Sequence, residues 1–513
     1  MGGNVSQLPP PPPNFPFFCI TFRIYDKMKI IDGDQQTIAY IRNILQQVWP
    51  AGVQRESVDN GVHEFKFSGC PFSKNTSKEE AVAIKRVCCA VLSNLRQMGW
   101  ELLVSSDLSR TQDLTTWFFQ KNPTLVASGI SAPHICGVSL SSYDKIQIVN
   151  APPYLHGVLR ECVAPILQSE SAVGSDYEVK LHGYPWNSAD FYEGVNARRM
   201  LLNVFRRFDQ NRFKFCGTAN LKGTADTIFF ELDNNMVPGE TRYMMISLNR
   251  NDRLRIIEAP QDVIDTIRDC LSKYWPNGIQ DQKVYNDVGC FEFKLKGTPW
   301  CTYGDEAAAA RFLITVVLQT LVTRGWAVLT ALDISRRLND KAVFVLRSCA
   351  PASIAHCCIS PNDTDKLKLM NAPKDVLDLI GTLIRTHWPY GIQRENPIAV
   401  GYEWKVSGQP WHAYGGNDYA MSRHMMTMVL SEMSRRGWRV ICSADVSSKY
   451  HHSDNGPDYP LDVHTWFLAQ TGVAAVGAAS GVQAGLGFEN FSGASAPSAA
   501  VADAPPRYTD VVQ

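Results

Sequence analysis

The sequence predicts an α+β protein built of four tandem ββαβαββ modules, each an antiparallel sheet packed by two helices in two layers, with a disordered tail behind them. Three observations carry this. First, "WPAGVQ" (49–54), "WPNGIQ" (275–280) and "WPYGIQ" (388–393) repeat nearly one hexapeptide. Second, a Gly-x-Pro-aromatic corner recurs at Gly69-Cys70-Pro71-Phe72, Gly183-Tyr184-Pro185-Trp186, Gly297-Thr298-Pro299-Trp300 and Gly408-Gln409-Pro410-Trp411, its first glycines 114, 114 and 111 residues apart. Such long spacing signals copies of a whole domain, since solenoid units run to about 20–50 residues. Third, helical and strand periodicities stop near Thr471. The expected boundaries are 17–121, 134–232, 243–348 and 353–470, preceded by a Pro-rich leader (1–16) and followed by an Ala/Gly/Ser-rich tail (471–513).

Each module opens with a hairpin. "KMKIID" (27–32), "KIQIVN" (145–150), "RLRIIE" (253–258) and "KLKLMN" (366–371) alternate polar and apolar residues, as a half-buried strand does, and each follows a first strand after a short turn. In "APQDVIDTIRDCLSKYW" the apolar residues Val263, Ile264, Ile267, Cys270, Leu271 and Tyr274 fall at three- and four-residue steps, which predicts a helix. Trp275 is its last anchor, Pro276 cannot continue it, and Gly278 supplies the left-handed conformation that closes it, so the hexapeptide reads as a helix terminator. A strand ("GCFEFKLKG", 289–297), the corner, a second helix and two closing strands ("GWAVLTALDIS", "AVFVLR") complete the unit. Module two diverges: it has "PILQSESAVG" in place of the terminator and "NRFKFCGTANLKG" in place of Gly-Trp and Asp.

Fifty basic and fifty acidic residues balance, so no global positive field favours nucleic acid. No run of about eighteen apolar residues and no secretory leader is evident, which predicts a cytosolic protein. The fourteen cysteines show no CxxC and no half-cystine framework and are expected to be reduced thiols.

Chemistry is sparse in the modules. Asp107, Asp333 and Asp445 end a repeated strand, where a carboxylate can act as a base, but Asp beside a turn more commonly caps its own backbone. Lys27/Lys29, Arg253/Arg255 and Lys366/Lys368 could form cationic stripes for anionic lipid or phosphate; the same alternation also describes a solvated sheet face. The long module-four loop "SSKYHHSDNGPDYPLDVHTW" contains His451, His452 and His464, candidate metal ligands beside Asp454 and Asp458, though in no established ligand spacing. Cys301 has no histidine tied to it by sequence, and no cofactor motif is present: "GVQAGLG" (481–487) lacks the strand and helix a phosphate loop needs.

The ends are more informative. Gly2 followed by Ser6 resembles the N-myristoylation signal, which would bring the chain to a membrane surface, and Pro9–Pro13 form a stiff spacer that an SH3- or EVH1-type groove could also read. Pro505-Pro506-Arg507-Tyr508 resembles the PPxY ligand of WW domains, with Pro505 and Pro506 entering the aromatic groove and Tyr508 its neighbouring pocket. The expectation is a non-enzymatic adaptor or scaffold, peripheral on the cytosolic face of a membrane, that recruits WW-domain proteins, ubiquitin ligases of membrane traffic among them. Two alternatives stand beside it: an enzyme whose metal-dependent site gathers His412, Asp445 and the 451–464 histidines, and a repeat protein binding lipid or another anionic ligand.

Overall fold

The computed structural model describes residue 8 and residues 14–471, apart from 24, 74, 110–112, 128–131, 222–224, 336–340, 414–415, 448–449, 452–458 and 461–462. Module one consists of β1 (Phe17–Arg23), β2 (Lys27–Ile31), α1 (Gln35–Val48), β3 (Val53–Asp59), β4 (Val62–Phe67), α2 (Lys78–Gln97), β5 (Trp100–Ser106) and β6 (Asp113–Lys121). Its sheet runs β3-β4-β2-β1-β6-β5 with every neighbour antiparallel, and the other three modules repeat that order. The four tandem α+β modules are therefore present, but the unit is ββαββαββ, with six strands where the sequence pattern predicts five.

The extra strand is β3 and its counterparts Leu167–Val173, Ile279–Tyr285 and Ile392–Ile398. It forms the outer edge of each sheet, and its central residues are exposed on both faces, so it has no apolar alternation to reveal it. Side chains from the first helix hold it: Arg42 pairs with Glu56, Arg160 with Glu170 and Arg385 with Glu395, while Arg268 bonds Gln282 at 2.8 Å. Charge, a bulge near its paired end and Pro397 in module four blunt this edge against pairing with other chains.

The repeated hexapeptide does terminate the first helix. The amides of Trp49, Trp275 and Trp388 donate to the carbonyls of Leu45, Leu271 and Ile384, and their buried indoles donate to the carbonyls of Ser68, Lys296 and Ser407 at 3.3, 2.9 and 2.8 Å. Gly52, Gly278 and Gly391 follow at φ 74, 73 and 76°. The corner tryptophans Trp186, Trp300 and Trp411 likewise donate to the carbonyls of Lys145, Arg253 and Lys366, fastening each corner to the second strand. In module two a short 3-10 turn, Ala164–Ile166, closes the helix instead.

A second difference concerns layers. All seven residues of β1 are buried, because its sheet is covered on both faces. Each second helix lies between its own sheet and the first strand of the following module: α2 against Ile135–Ser141, Phe191–Gln210 against Tyr243–Asn249, Gly304–Thr323 against His356–Asn362, and Gly416–Arg435 against β1. That last contact closes a ring. The two-layer unit thus becomes one sector of a circle in which every core straddles a seam; Met425, Met426 and Met433 of module four, for example, share a cluster with Phe17, Cys19 and Phe118 of module one. Gly304–Thr323 is long and apolar enough to cross a membrane by length and composition, contrary to the sequence expectation, yet most of it is buried between two sheets.

Candidate functional site

The inner strands, β5 with Phe213–Ala219, Trp326–Leu332 and Trp438–Ala444, converge on the ring axis. Each carries a bulge at the same place, between Leu102/Val104, Phe215/Gly217, Val328/Thr330 and Val440/Cys442. A bulge bends and twists a strand locally. Together the four strands line an axial cavity of ≈ 70 Å³, with Ser105, Thr218, Thr330 and Ser443 among its polar walls. That is room for a few waters.

The strand ends near this axis determine where the chain enters and leaves. The Lys121 amide, at the end of β6, donates to the carbonyl of Pro16, just before β1. The Thr471 amide, after the last strand, donates to the Gly437 carbonyl, and Gln470 donates to the Ala355 carbonyl. Pro16 and Thr471 therefore lie at the same end of the inner strands, on modules that adjoin in the ring. Upstream, the Leu8 amide reaches the Asn60 carbonyl at the β3–β4 turn.

Across the seams, one position recurs with different chemistry: the residue just before the sixth strand. At the two–three seam Asp226 Oδ2 accepts the Asp333 amide at 2.7 Å, and the Asp226 amide donates to the Asp333 carbonyl at 2.8 Å. At the four–one seam His464 takes the same place: its Nδ1 accepts the Asp107 amide at 3.2 Å while its own amide donates to the Asp107 carbonyl at 3.0 Å. An Nδ1 that accepts from a backbone amide carries no proton, so the neutral ring holds its proton on Nε2. Burial pushes the Asp226 carboxyl up to about 7. It pushes the His464 imidazole below its ordinary value, outweighing the opposing charge of Asp445.

The second helices add a cation that sequence inspection passed over. Lys85, Arg198, Arg311 and Arg423 stand 113, 113 and 112 residues apart, and all are buried at the seams. Lys85 Nζ donates to Gln147 Oε1 at 2.5 Å, Arg198 Nε to Ser247 Oγ at 2.8 Å and Arg311 Nε to Thr465 Oγ1 at 3.0 Å. The Arg423 guanidinium lies 4.1 Å from the ring centre of Tyr419, whose hydroxyl bonds Thr21 of module one. The constant spacing was the available signal, and it was obscured because these cations sit inside otherwise apolar helix faces.

The cationic strands are neutralised in place. Lys27 and Lys29 pair with Glu64 at 3.0 and 3.3 Å, Arg253 and Arg255 with Glu292 at 2.8 and 2.7 Å, Lys145 with Glu178 at 3.0 Å, and Lys368 with Glu403 at 3.4 Å. Lys366 pairs with Asp363 at 2.7 Å. These carboxylates repeat on the neighbouring strand, so the stripe is a ladder of ion pairs.

Of the other residues singled out in the sequence, Asp107 and Asp333 cap their own turns by accepting the amides of Ser109 and Ser335. His451 falls in a short strand, Tyr450–His451, paired with Tyr459–Pro460. Gly2, His452, Pro505, Pro506 and Tyr508 lie outside the described residues. The structure joins His464 to the seam rather than to any ligand cluster, and among the described residues no group of three or more His, Cys, Asp or Glu side chains could hold a metal ion. All fourteen cysteines are free thiols; of these only Cys70 is exposed.

Fold and seams together define a closed ring of repeated α+β modules. The sequence profile of one repeated-domain family matches residues 16–120, 134–231, 242–347 and 355–469, and the chain belongs to that family. No curated protein and no solved structure matches it.

Proposed function

We propose that the protein is a non-enzymatic adaptor on the cytosolic face of a membrane, in which an acyl chain on Gly2 attaches the ring and Pro505, Pro506 and Tyr508 recruit WW-domain proteins, ubiquitin ligases of membrane traffic among them. The observation that supports this reading best is that Pro16 and Thr471 lie at the same end of the inner strands. A leader that runs out along the β3–β4 turn and a tail that leaves by the inner strands can both work at the surface that end faces. Pro505 lies 35 residues beyond the last strand, and a Gly/Ser-rich linker of that length spans about 30–35 Å. A single myristoyl chain binds reversibly, with an association constant of roughly 10⁴ M⁻¹, so a WW partner that itself contacts lipid supplies the second attachment.

The test is co-precipitation and fractionation of wild type, Gly2→Ala and Tyr508→Ala proteins from eukaryotic cells. Tyr508→Ala should lose the WW-domain ligases and hold membranes less tightly while keeping its acyl mass, and Gly2→Ala should lose the acyl mass and move to the soluble fraction. Equal recovery of the ligases with wild type and Tyr508→Ala would remove the tail motif from the function. A Gly2 that is free or merely acetylated would remove the anchor.

A further inference from the structure

Three of the four seams are spanned by peptide: residues 122–134, 233–242 and 349–355 lead from each module to the next. The four–one seam has no such crossing and is held by noncovalent contacts alone, among them the bond from the His464 amide to the Asp107 carbonyl. Its contents differ too. Facing β1 is the second helix of module four, which contributes Met421, Met425, Met426 and Met433 to the shared core, a flexible and polarizable surface of the kind that accommodates varied partners. Within it the buried His424 Nδ1 meets Asp32 Oδ1 at 2.8 Å, while His424 Nε2 and Asp32 Oδ2 have no hydrogen-bond partner among the described residues. The equivalents of Asp32 at two other seams meet groups of other chemistry: Glu258 meets Arg199 at 3.1 Å, and Asn371 meets Gln319 at 3.2 Å.

We infer that the ring is a clasp that opens at the four–one seam, ahead of the other three, when the imidazoles there take up protons, baring the methionine-lined face of Gly416–Arg435. Two imidazoles carry the effect. His464 is held by the Asp107 amide and by Ser443 Oγ at 3.2 Å, with Asp445 as the nearby carboxylate. His387, at the end of Lys374–His387, lies with its ring 5.4 Å from that of His424, with Asp32 and Glu432 as the carboxylates acting on it. Burial holds both below the ordinary imidazole value, and for His387 the charge of His424 adds to it. The closed seam is therefore favoured while these rings are neutral, and that advantage is lost as pH falls below the unfolded imidazole value of about 6.5. The ion pair of Arg439 with Glu101 and the bond from Gln120 to Ser434 also cross this seam.

The experiment is hydrogen exchange of the full chain at pH 7.5 and 5.5, compared after correction for intrinsic exchange. Amides of Gly416–Arg435 and β1 should lose protection by on the order of tenfold at pH 5.5, the effect of one unit of differential proton binding, while Phe191–Gln210 and Tyr243–Asn249 keep theirs. A Ser106→Cys/Ser443→Cys pair, whose parent hydroxyls lie 2.9 Å apart across the seam, should abolish the change when oxidised and restore it when reduced. Equal loss at all four seams, no loss at the four–one seam, or loss that persists in the oxidised pair would overturn the inference.

Discussion

The two–three and four–one seams share one geometry and titrate in opposite senses. In both, the residue before the sixth strand accepts the backbone amide of an Asp that ends an inner strand of the next module. At the two–three seam that acceptor is the Asp226 carboxyl, which burial keeps neutral to higher pH, so acid favours it. At the four–one seam it is the His464 imidazole, which burial also keeps neutral, so acid opposes it. Desolvation favours the uncharged form in each case, and the sign of the pH response follows only from whether that form carries the proton. A repeat protein can thus give each joint a distinct response by changing one residue, leaving the backbone pattern intact.

The largest effect expected at these joints comes from packing. Trp466 is fully buried, donates to Ser106 Oγ at 2.9 Å across the four–one seam and stacks edge-on with Phe118. Trp466→Ala should cost about 3–5 kcal/mol in denaturant unfolding, whereas Ile228→Val at the corresponding position of module two should cost about 0.5–1.5 kcal/mol. Comparable losses would mean the four–one seam does not depend on its aromatic anchor.

Next in size is the carboxyl effect. Asp226 has an ordinary value of 3.8 and a folded value of about 7, so its contribution is fully present below pH 3.8 and lost as pH rises through 7. Asp226→Asn keeps an acceptor for the Asp333 amide and removes the titration. Its stability relative to wild type should rise between pH 5 and 8 by up to a few kcal/mol, and parallel pH profiles for the two proteins would contradict the assignment. The imidazole effect is the mirror image and smaller. His464→Asn should lessen the loss of stability between pH 7 and 5, by up to about 1.4 kcal/mol for each unit by which the imidazole is held down.

The smallest contrast lies in the turn that leads into the inner strands on either side of the two–three seam. Gly325 adopts φ 77°, and a Cβ there would meet the Cys349 carbonyl oxygen at 2.9 Å; Arg212 adopts φ 65° at the equivalent turn of module two. Arg212→Gly should therefore stabilise the protein by about 1 kcal/mol, and Gly325→Ala should destabilise it by at least as much. Melting the two variants side by side checks both signs.

These contrasts also show what the sequence could reveal. The opening hairpin, helix terminator and corner were legible because each repeats a local requirement: alternation, a positive φ, an aromatic anchor. β3 was not, because a solvated edge strand such as "VQRESVD" has no apolar face to betray it. Ring closure was not legible either, since Tyr419 meets Thr21 and His424 meets Asp32 across almost four hundred residues with no local pattern joining them. By sequence His464 belongs to the module-four loop; its burial against Asp107 depends on module one, which the module-four sequence cannot describe. The motifs around Gly2 and Tyr508 remain readable only as motifs, since they lie outside the described residues.

Closure without a peptide crossing has a consequence for how the gene can be cut. Because Pro16 and Thr471 lie at the same end of the inner strands on adjoining modules, a connector of about ten residues, comparable to the natural joins at 233–242 and 349–355, should join them. The chain can then be reopened within 233–242, giving a circular permutant whose order is three-four-one-two. A three-module fragment is a different matter: removing one sector splits two of the shared cores and leaves an uncovered sheet face on one side and an uncovered second helix on the other. The evolutionary unit of this protein is therefore one module, whereas its folding unit is the whole circle.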